Sequence, residues 1–240
     1  MNAPQRRSTL PSNDSPPRSN PANIGHLISD EYFAAFAAME LFDVVQPDSQ
    51  MILVKACTFD ASACARGYNE SMRGLSLLPA RTLDSYASGT CFRRVIMGHS
   101  MALGHAFASS FRGPTALRFR DFFSNNLGLG WMYRQALRRH FILMVRKQGK
   151  GGASDVWPHV CSYAAVLQAV FPTVKVACVD GMKHQSLSSQ VQMFASASVI
   201  VSPHGGMLHL TNFARNGASV IALVDHGEVP LPVPNLHALL

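Results

Sequence analysis

Hydrophobic and polar positions alternate most regularly in the second half of the chain, from residue 141 onward. Short apolar runs there, many of them β-branched, are separated by segments whose apolar residues recur at helical spacing. We predict strands over residues 141–146, 174–180, 199–202 and 219–224, and helices over 160–170, 189–197 and 207–215. Strands that alternate with helices in this way form right-handed βαβ crossovers, so the pattern predicts a parallel sheet.

The first half has a less regular pattern. Residues 28–42 predict a helix because their apolar side chains fall near one stripe, and Ser29 is the expected N-cap of this helix. The other predicted elements of this half are strands over 51–55 and 90–98 and a helical segment over 116–140 that Gly128 and Gly130 interrupt.

Composition narrows the classes of function. The chain has 240 residues, of which 48% are hydrophobic and 15% charged, so most of it is expected to be globular. A net charge of +7 favours anionic partners, but the chain lacks the interleaved aromatic and basic pattern of a nucleic-acid surface. Residues 1–22 are rich in Pro, Ser and Asn, which predicts a disordered leader. We expect neither a nucleic-acid partner nor a membrane segment in this chain.

The five cysteines show no CxxC pair, so a zinc site is not expected. Cys57 and Cys64 can pair if the protein is secreted. Buried free thiols are the alternative, and no complete disulfide framework follows from the spacings.

The strongest chemical signal lies in the segment SVIVSPHGGM, residues 198–207. Its turn consists of Pro203, His204, Gly205 and Gly206. The turn joins a predicted strand to a predicted helix, and the backbone N–H groups at such a helix start can bind an anion. The segment therefore predicts a phosphate or nucleotide site in which His204 donates to an oxygen or packs beside the base. The alternative is an ordinary turn with a satisfied histidine.

Two basic residues, Arg146 and Lys147, end the first predicted strand of the second half. Because the carboxyl ends of parallel strands meet at one edge, we expect them near Asp180 and the glycine turn. An arginine at that edge can clamp a phosphate with two hydrogen bonds. A solvated basic turn is the alternative.

His26 and Asp30 stand four residues apart at the start of the first predicted helix. A carboxylate that orients an imidazole forms a general base, so this pair is a catalytic candidate. A helix-capping interaction is the alternative.

A competing signal is GHSMA, residues 98–102, which nearly matches the nucleophile elbow of α/β-hydrolases and would make Ser100 a nucleophile. The HGG of residues 204–206 would then be the oxyanion motif, with His226 and His237 as downstream triad candidates. Two features argue against this hypothesis. The elbow ends in alanine instead of glycine, and the HGG follows the serine, which reverses the hydrolase order.

Several motifs together resemble the catalytic domain of glycosyltransferase family 61, which includes O-linked N-acetylglucosaminyltransferases and plant xylosyl- and arabinosyltransferases. NIGHLISD at residues 23–30 resembles the family's N-x-x-H-x-x-x-D start, and CFRR at 91–94 resembles its central CF…G strand. LMVRK at 143–147 resembles the strand that ends in an arginine pair. Residues 190–206 are similar to the signature Q…F…A-D-V-x-V-G-P-H-G-A.

The resemblance covers residues 23–224 and implies a GT-B-like α/β fold with two Rossmann-like lobes and mostly parallel sheets. Residues 23–134 would form the N-terminal, acceptor-side lobe, residues 135–224 the C-terminal lobe that binds the nucleotide sugar, and residues 225–240 a tail. The implied function is an inverting glycosyltransferase that moves a sugar from a nucleoside-diphosphate donor, expected to be UDP-linked, to a glycan or protein hydroxyl. Family members of this kind commonly work in the lumen of the Golgi or endoplasmic reticulum, and the resemblance implies the same place for this protein.

For this reaction we expect Arg146, Lys147 and the turn of Pro203, His204, Gly205 and Gly206 to hold the diphosphate. His26 is the expected general base, oriented by Asp30. No cofactor or metal is expected besides the donor, because the departing diphosphate needs positioned hydrogen-bond donors.

The chain departs from the family pattern in several places, among them the stretch after Arg146, which lacks the usual second arginine and asparagine and has Lys150 and Asp155 in that neighbourhood. Met207, His209 and Leu210 replace residues of the usual HGAGLTN, and Ala222 stands where the last strand often has a glutamate. Asp225 is the expected substitute for that glutamate at the donor. The alternative function is a catalytically inactive family member that binds a glycan or a nucleotide.

Overall fold

The computed structural model describes residues 25, 27–53, 71–96, 114–135, 139–147, 159–180, 182, 185–203 and 205–223. In the first half, a π-helical turn (Leu27–Tyr32) leads directly into helix α1 (Phe33–Leu41). Strands β1 (Ile52–Leu53) and β2 (Arg81–Thr82) pair in parallel, and a 3-10 turn (Leu83–Ser85) follows them. The last described elements of this half are helices α2 (Pro114–Asn126) and α3 (Trp131–Arg134).

A four-stranded parallel sheet organises the second half. Its strands are β3 (Phe141–Arg146), β4 (Lys175–Asp180), β5 (Val199–Pro203) and β6 (Ser219–Leu223), in the order β4-β3-β5-β6. The helical elements between them are α4 (Ser162–Val170), α5 (Leu187–Ser196) and a 3-10 helix (Gly206–Phe213). Because every pairing is parallel, the four carboxyl ends lie at one edge of the sheet, here called the carboxyl edge.

One cluster of buried apolar side chains joins the two halves. The aromatic residues of α2 reach the 3-10 helix: the rings of Phe119 and Phe123 lie 6.0 and 5.2 Å from that of Phe213. Aromatic pairs at such distances add specific stabilisation to the burial of their surface. Packing from the first half therefore fixes the 3-10 helix and, with it, the end of the turn that precedes it.

Hydrogen bonds from the first half reinforce this packing. Tyr133 donates its hydroxyl proton to the Phe213 carbonyl at 2.8 Å, and Arg120 donates to Asn216 Oδ1 at 2.7 Å. The Arg120 guanidinium lies 4.6 Å from the centre of the Tyr133 ring. Burial raises the pKa of Tyr133 to about 12, because the phenolate would lose its hydration there.

The structure confirms the predicted α/β class with parallel sheets. Strand 141–146 is reproduced, and the other strands and helices of the second half agree with their predicted positions within one or two residues. The helix expected over 207–215 is a 3-10 helix, and the segment 116–140 divides into α2 and α3 at its two glycines. The expected domain boundary at residue 135 falls between α3 and β3, and the shared core crosses it.

Two secondary-structure predictions for the first half are wrong. Ser29 is not an N-cap, since it lies inside the π-helical turn with only 7% of its surface exposed. The strand expected over 90–98 is absent from its described part, residues 90–96. Phe92 and Val95 are exposed there, so these apolar residues do not face a core.

A disulfide joins Cys161 to Cys178 and so attaches the start of α4 to β4. This pair was not singled out from the sequence. Cys57 and Cys64 lie outside the described residues.

No helix in the described part of the chain is long and apolar enough to cross a lipid bilayer.

Candidate functional site

The carboxyl edge brings the predicted basic residues together with the glycine turn. Arg146 ends β3 and is the register partner of Asp180 at the end of β4. On the other side of β3, Met144 pairs with Val201, so Arg146 and Pro203 each stand two residues beyond that pair. The expectation that these strand ends share one edge is confirmed.

Lys147 lies directly against the turn. A Cβ atom built on Gly205 would come within 2.9 Å of the Lys147 Nζ, so any larger residue here would make the end of the lysine side chain shift. Gly205 also has a φ of +129°, a backbone conformation that residues with a Cβ rarely adopt. At Gly205, the backbone of the turn therefore lies directly beside the cationic side chain of Lys147.

The 3-10 helix begins immediately after Gly205. The Gly205 carbonyl accepts a hydrogen bond from Leu208 N at 2.9 Å, which starts the helical pattern. The first N–H groups of a helix have no acceptor within the helix itself, and they carry its positive dipole end. Together with Arg146 and Lys147, this arrangement can bind an anion.

Asp180 forms an ion pair with Arg146 and so partly neutralises the positive charge at this edge. Its carboxylate lies 3.1 Å from Arg146 Nη1, and the two side chains are 47% and 30% exposed. An exposed ion pair of this kind contributes less than about 1 kcal/mol, so an anionic ligand can take the place of Asp180 at small cost.

The N-terminal segment also reaches the turn. A Cβ atom on Gly25 would come within 2.5 Å of Gly206 Cα and 2.8 Å of His209 Cδ2, so Gly25 packs against backbone that cannot withdraw. Four residues further on, Ser29 Oγ and His209 Nδ1 share a hydrogen bond of 2.5 Å. The two glycines of the turn therefore have different neighbours: Gly205 faces Lys147, and Gly206 faces Gly25.

Five of the predicted site residues are described and lie at the carboxyl edge: Arg146, Lys147, Pro203, Gly205 and Gly206. The backbone of Asp30 belongs to the π-helical turn. His26, His204 and Asp225 lie outside the described residues, as does Ser100 of the hydrolase hypothesis.

The chain has a match among known protein families. The family model of Glycosyltransferase 61 matches residues 25–221, which is most of the chain. The chain belongs to glycosyltransferase family 61. Membership supports glycosyltransferase activity in general, and it favours transfer over the hydrolase hypothesis. Among curated proteins, none matches the chain.

Sequence reasoning missed two contacts in this candidate site. His209 entered the sequence comparison only as a departure from the family pattern, yet its ring bonds Ser29 and packs on Gly25. Gly25 stands inside the NIGHLISD motif, and a glycine beside a candidate catalytic histidine signals close backbone approach. The partner of that approach cannot be read from the sequence, because it lies about 180 residues further along the chain.

Proposed function

We propose that this family 61 protein is an inverting glycosyltransferase that uses a UDP-linked sugar as donor and a hydroxyl of a glycan or protein as acceptor. The observation that carries the proposal is the position of Lys147 Nζ against Gly205, at the same sheet edge as Arg146. Two cationic side chains and an open glycine backbone match the charge and shape of a diphosphate.

In the proposed reaction, negative charge accumulates on the departing diphosphate as its bond to the anomeric carbon breaks. Arg146, Lys147 and the amides of Gly205 and Gly206 stabilise that charge, with His204 beside them. Groups held in place before the reaction lower the barrier most, because they need not reorganise. The proposal assigns no step to a metal ion. Asp225 remains the candidate for a further contact with the donor.

The acceptor hydroxyl attacks the anomeric carbon from the face opposite the diphosphate, which inverts the configuration. Its proton passes to the imidazole of His26, oriented by Asp30, as the new bond forms. The contact of Gly25 with Gly206 supports this assignment, since His26 follows Gly25 directly in the chain. We assign a GT-B arrangement to the protein, in which the second half binds the donor and the first half presents the acceptor.

The disulfide between Cys161 and Cys178 supports a place in an oxidising compartment, such as the lumen of the Golgi or endoplasmic reticulum.

Binding of UDP tests the proposal. A thermal-shift screen across UDP and a panel of UDP-sugars should raise the melting temperature with at least one of them, because a ligand selective for the folded state stabilises it. Arg146→Ala should then weaken UDP binding by at least about tenfold, or 1.4 kcal/mol, in calorimetry.

The matched control is Arg139→Ala, since Arg139 is exposed and stands before β3 at the opposite edge of the sheet. It removes the same charge from the chain but should leave UDP affinity unchanged. Equal affinity in wild type and Arg146→Ala, or an equal loss in both variants, would remove Arg146 from the donor site.

One observation favours a second function, a catalytically inactive binding module. Ala222 lies on β6 in register with Ser202, and an alanine there supplies no carboxylate to a donor. Release of UDP from the UDP-sugar that stabilises the protein best distinguishes the two functions. Steady release identifies an enzyme, whereas binding without release identifies the module.

A further inference from the structure

The hydrogen bond between Ser29 and His209 joins segments that are 180 residues apart in the chain. Ser29 is 7% exposed, so its hydroxyl has little access to water and relies on protein partners. His209 follows the glycine turn within the 3-10 helix. The family resemblance gives neither residue a role.

A second contact between the same two segments lies four residues earlier in the chain, at Gly25. Gly25 packs on Gly206 Cα and on the His209 ring, with no space for a side chain between them. Between these two contacts, Leu27 and Ile28 are 2% and 0% exposed and belong to the core. Burial of apolar side chains holds the segment in place but is not directional, whereas a hydrogen bond fixes an orientation.

We propose that Ser29 and His209 form a latch that orients the segment carrying His26 and Asp30 against the glycine turn, so that His209 is a positioning residue for sugar transfer. The inference rests on the proposed function, in which His26 takes the proton of the acceptor. A general base is effective only within hydrogen-bond reach of that proton, so a small rotation of its segment lowers turnover. The residues proposed to hold the donor diphosphate include neither Ser29 nor His209, so we expect donor binding to be independent of the latch.

This division of roles predicts a particular kinetic signature. His209→Leu and Ser29→Ala should each lower the kcat of UDP-sugar hydrolysis by about tenfold or more, since water as acceptor needs the same base. The Kd for UDP should stay within about twofold, because Arg146, Lys147 and the turn are intact. His26→Ala should show the same pattern, as the variant that removes the base itself.

His209→Asn is the rescue variant. The polar atoms of an asparagine side chain are bonded to Cγ, as Nδ1 is in histidine, so the amide can still bond Ser29 Oγ. Turnover should recover in His209→Asn to within about threefold of wild type, although the imidazole is gone. Recovery of this kind assigns the role to the hydrogen bond instead of to proton transfer by His209.

Ser198→Ala is the matched structural control. Ser198 is 9% exposed, and its hydroxyl donates to the Phe141 carbonyl and accepts from Phe141 N at 3.1 and 3.0 Å, at the edge of the sheet opposite the turn. The Ser198→Ala variant therefore loses a hydrogen-bonded hydroxyl comparable to that of Ser29, but at a position away from the site. Its melting temperature should fall as in Ser29→Ala, while its kcat stays at the wild-type value.

Each outcome decides one question. Wild-type kcat in both His209→Leu and Ser29→Ala would overturn the latch, as would a loss of UDP affinity in step with kcat. Loss of kcat in Ser198→Ala as well would assign the effect to stability alone. If wild-type protein binds neither UDP nor any UDP-sugar, the proposed function fails instead, and the positioning role fails with it. If His209→Leu does not fold, Ser29→Ala alone decides, because it removes only one hydroxyl.

Discussion

Both the backbone conformation of Gly205 and its contact with Lys147 disfavour a larger residue at this position. Its φ of +129° and ψ of −164° place it in a region that is nearly exclusive to glycine, and Lys147 Nζ lies only 2.9 Å from the position of a Cβ. Gly205→Ala should therefore destabilise the fold by about 1–3 kcal/mol through backbone strain. It should also displace Lys147 and weaken UDP binding by about tenfold.

Gly217→Ala separates the two effects. Gly217 has a φ of +81°, so an alanine there is also strained, but a Cβ would meet no described atom within 4 Å. This variant should lose stability in urea denaturation and keep its UDP affinity. Unchanged UDP binding in Gly205→Ala would show that Lys147 does not contact the ligand through this face of the turn.

The site residues at the strand ends could be predicted from the sequence, whereas the contact between Ser29 and His209 could not. Arg146, Lys147 and the glycine turn stand at strand ends, and the rule that parallel strands share a carboxyl edge brings them together. His209 and Ser29 follow no such rule, because their contact depends on how the N-terminal segment packs on a distant helix. The N-cap prediction for Ser29 failed for the same reason: its hydroxyl bonds His209 and not the start of its own helix.

The elements of the second half were predictable because each strand is a short apolar run between turn residues. The segment 90–96 also contains apolar residues, but Phe92 and Val95 are exposed and the segment forms no strand. Intrinsic strand propensity is weak unless a neighbouring strand or a core receives the side chains. The class of the fold follows from periodicity, whereas the state of an isolated apolar segment depends on its neighbours.

We expect helix α4 to depend on its disulfide more than on packing. None of its residues is fully buried, and its Tyr163, Val166 and Val170 are exposed. Two kinds of contact attach it to the edge strand β4: the Cys161–Cys178 bond, and Gln168, whose Oε1 accepts from Val176 N at 3.0 Å. Covalent closure of this short loop restricts the unfolded chain.

Removal of that bond should weaken the whole sheet edge. Cys161→Ser combined with Cys178→Ser should lower the free energy of unfolding by about 3 kcal/mol, measured by urea denaturation under non-reducing conditions. Cys91→Ser is the control, since Cys91 is exposed and free. Equal midpoints for the double variant and wild type would mean that packing alone holds α4 to β4.

At the scale of the whole molecule, the two halves share one core, and a hydrogen bond of Tyr133 connects the first half to the second. Its hydroxyl donates to Phe213 O at 2.8 Å, and burial raises its pKa to about 12 from an ordinary value near 10. Below about pH 10 the tyrosine is neutral in both folded and unfolded chains, so it makes no contribution to pH dependence. Between about pH 10 and about pH 12 only the unfolded chain loses the proton, so stability falls as the pH rises.

Tyr133→Phe should therefore change the alkaline limb of the stability profile. Near about pH 8 the variant should be less stable by about 1 kcal/mol, because it lacks the hydrogen bond to Phe213. Between about pH 10 and about pH 12, the free energy of unfolding of wild type should fall by up to about 3 kcal/mol because of Tyr133. The phenylalanine variant has no phenol to titrate and lacks this loss, so the two curves of stability against pH should cross. Urea denaturation at a series of pH values measures the difference, with Tyr163→Phe on exposed α4 as the control expected to track wild type. Parallel curves for wild type and Tyr133→Phe would mean that Tyr133 is not held neutral in the interface between the halves.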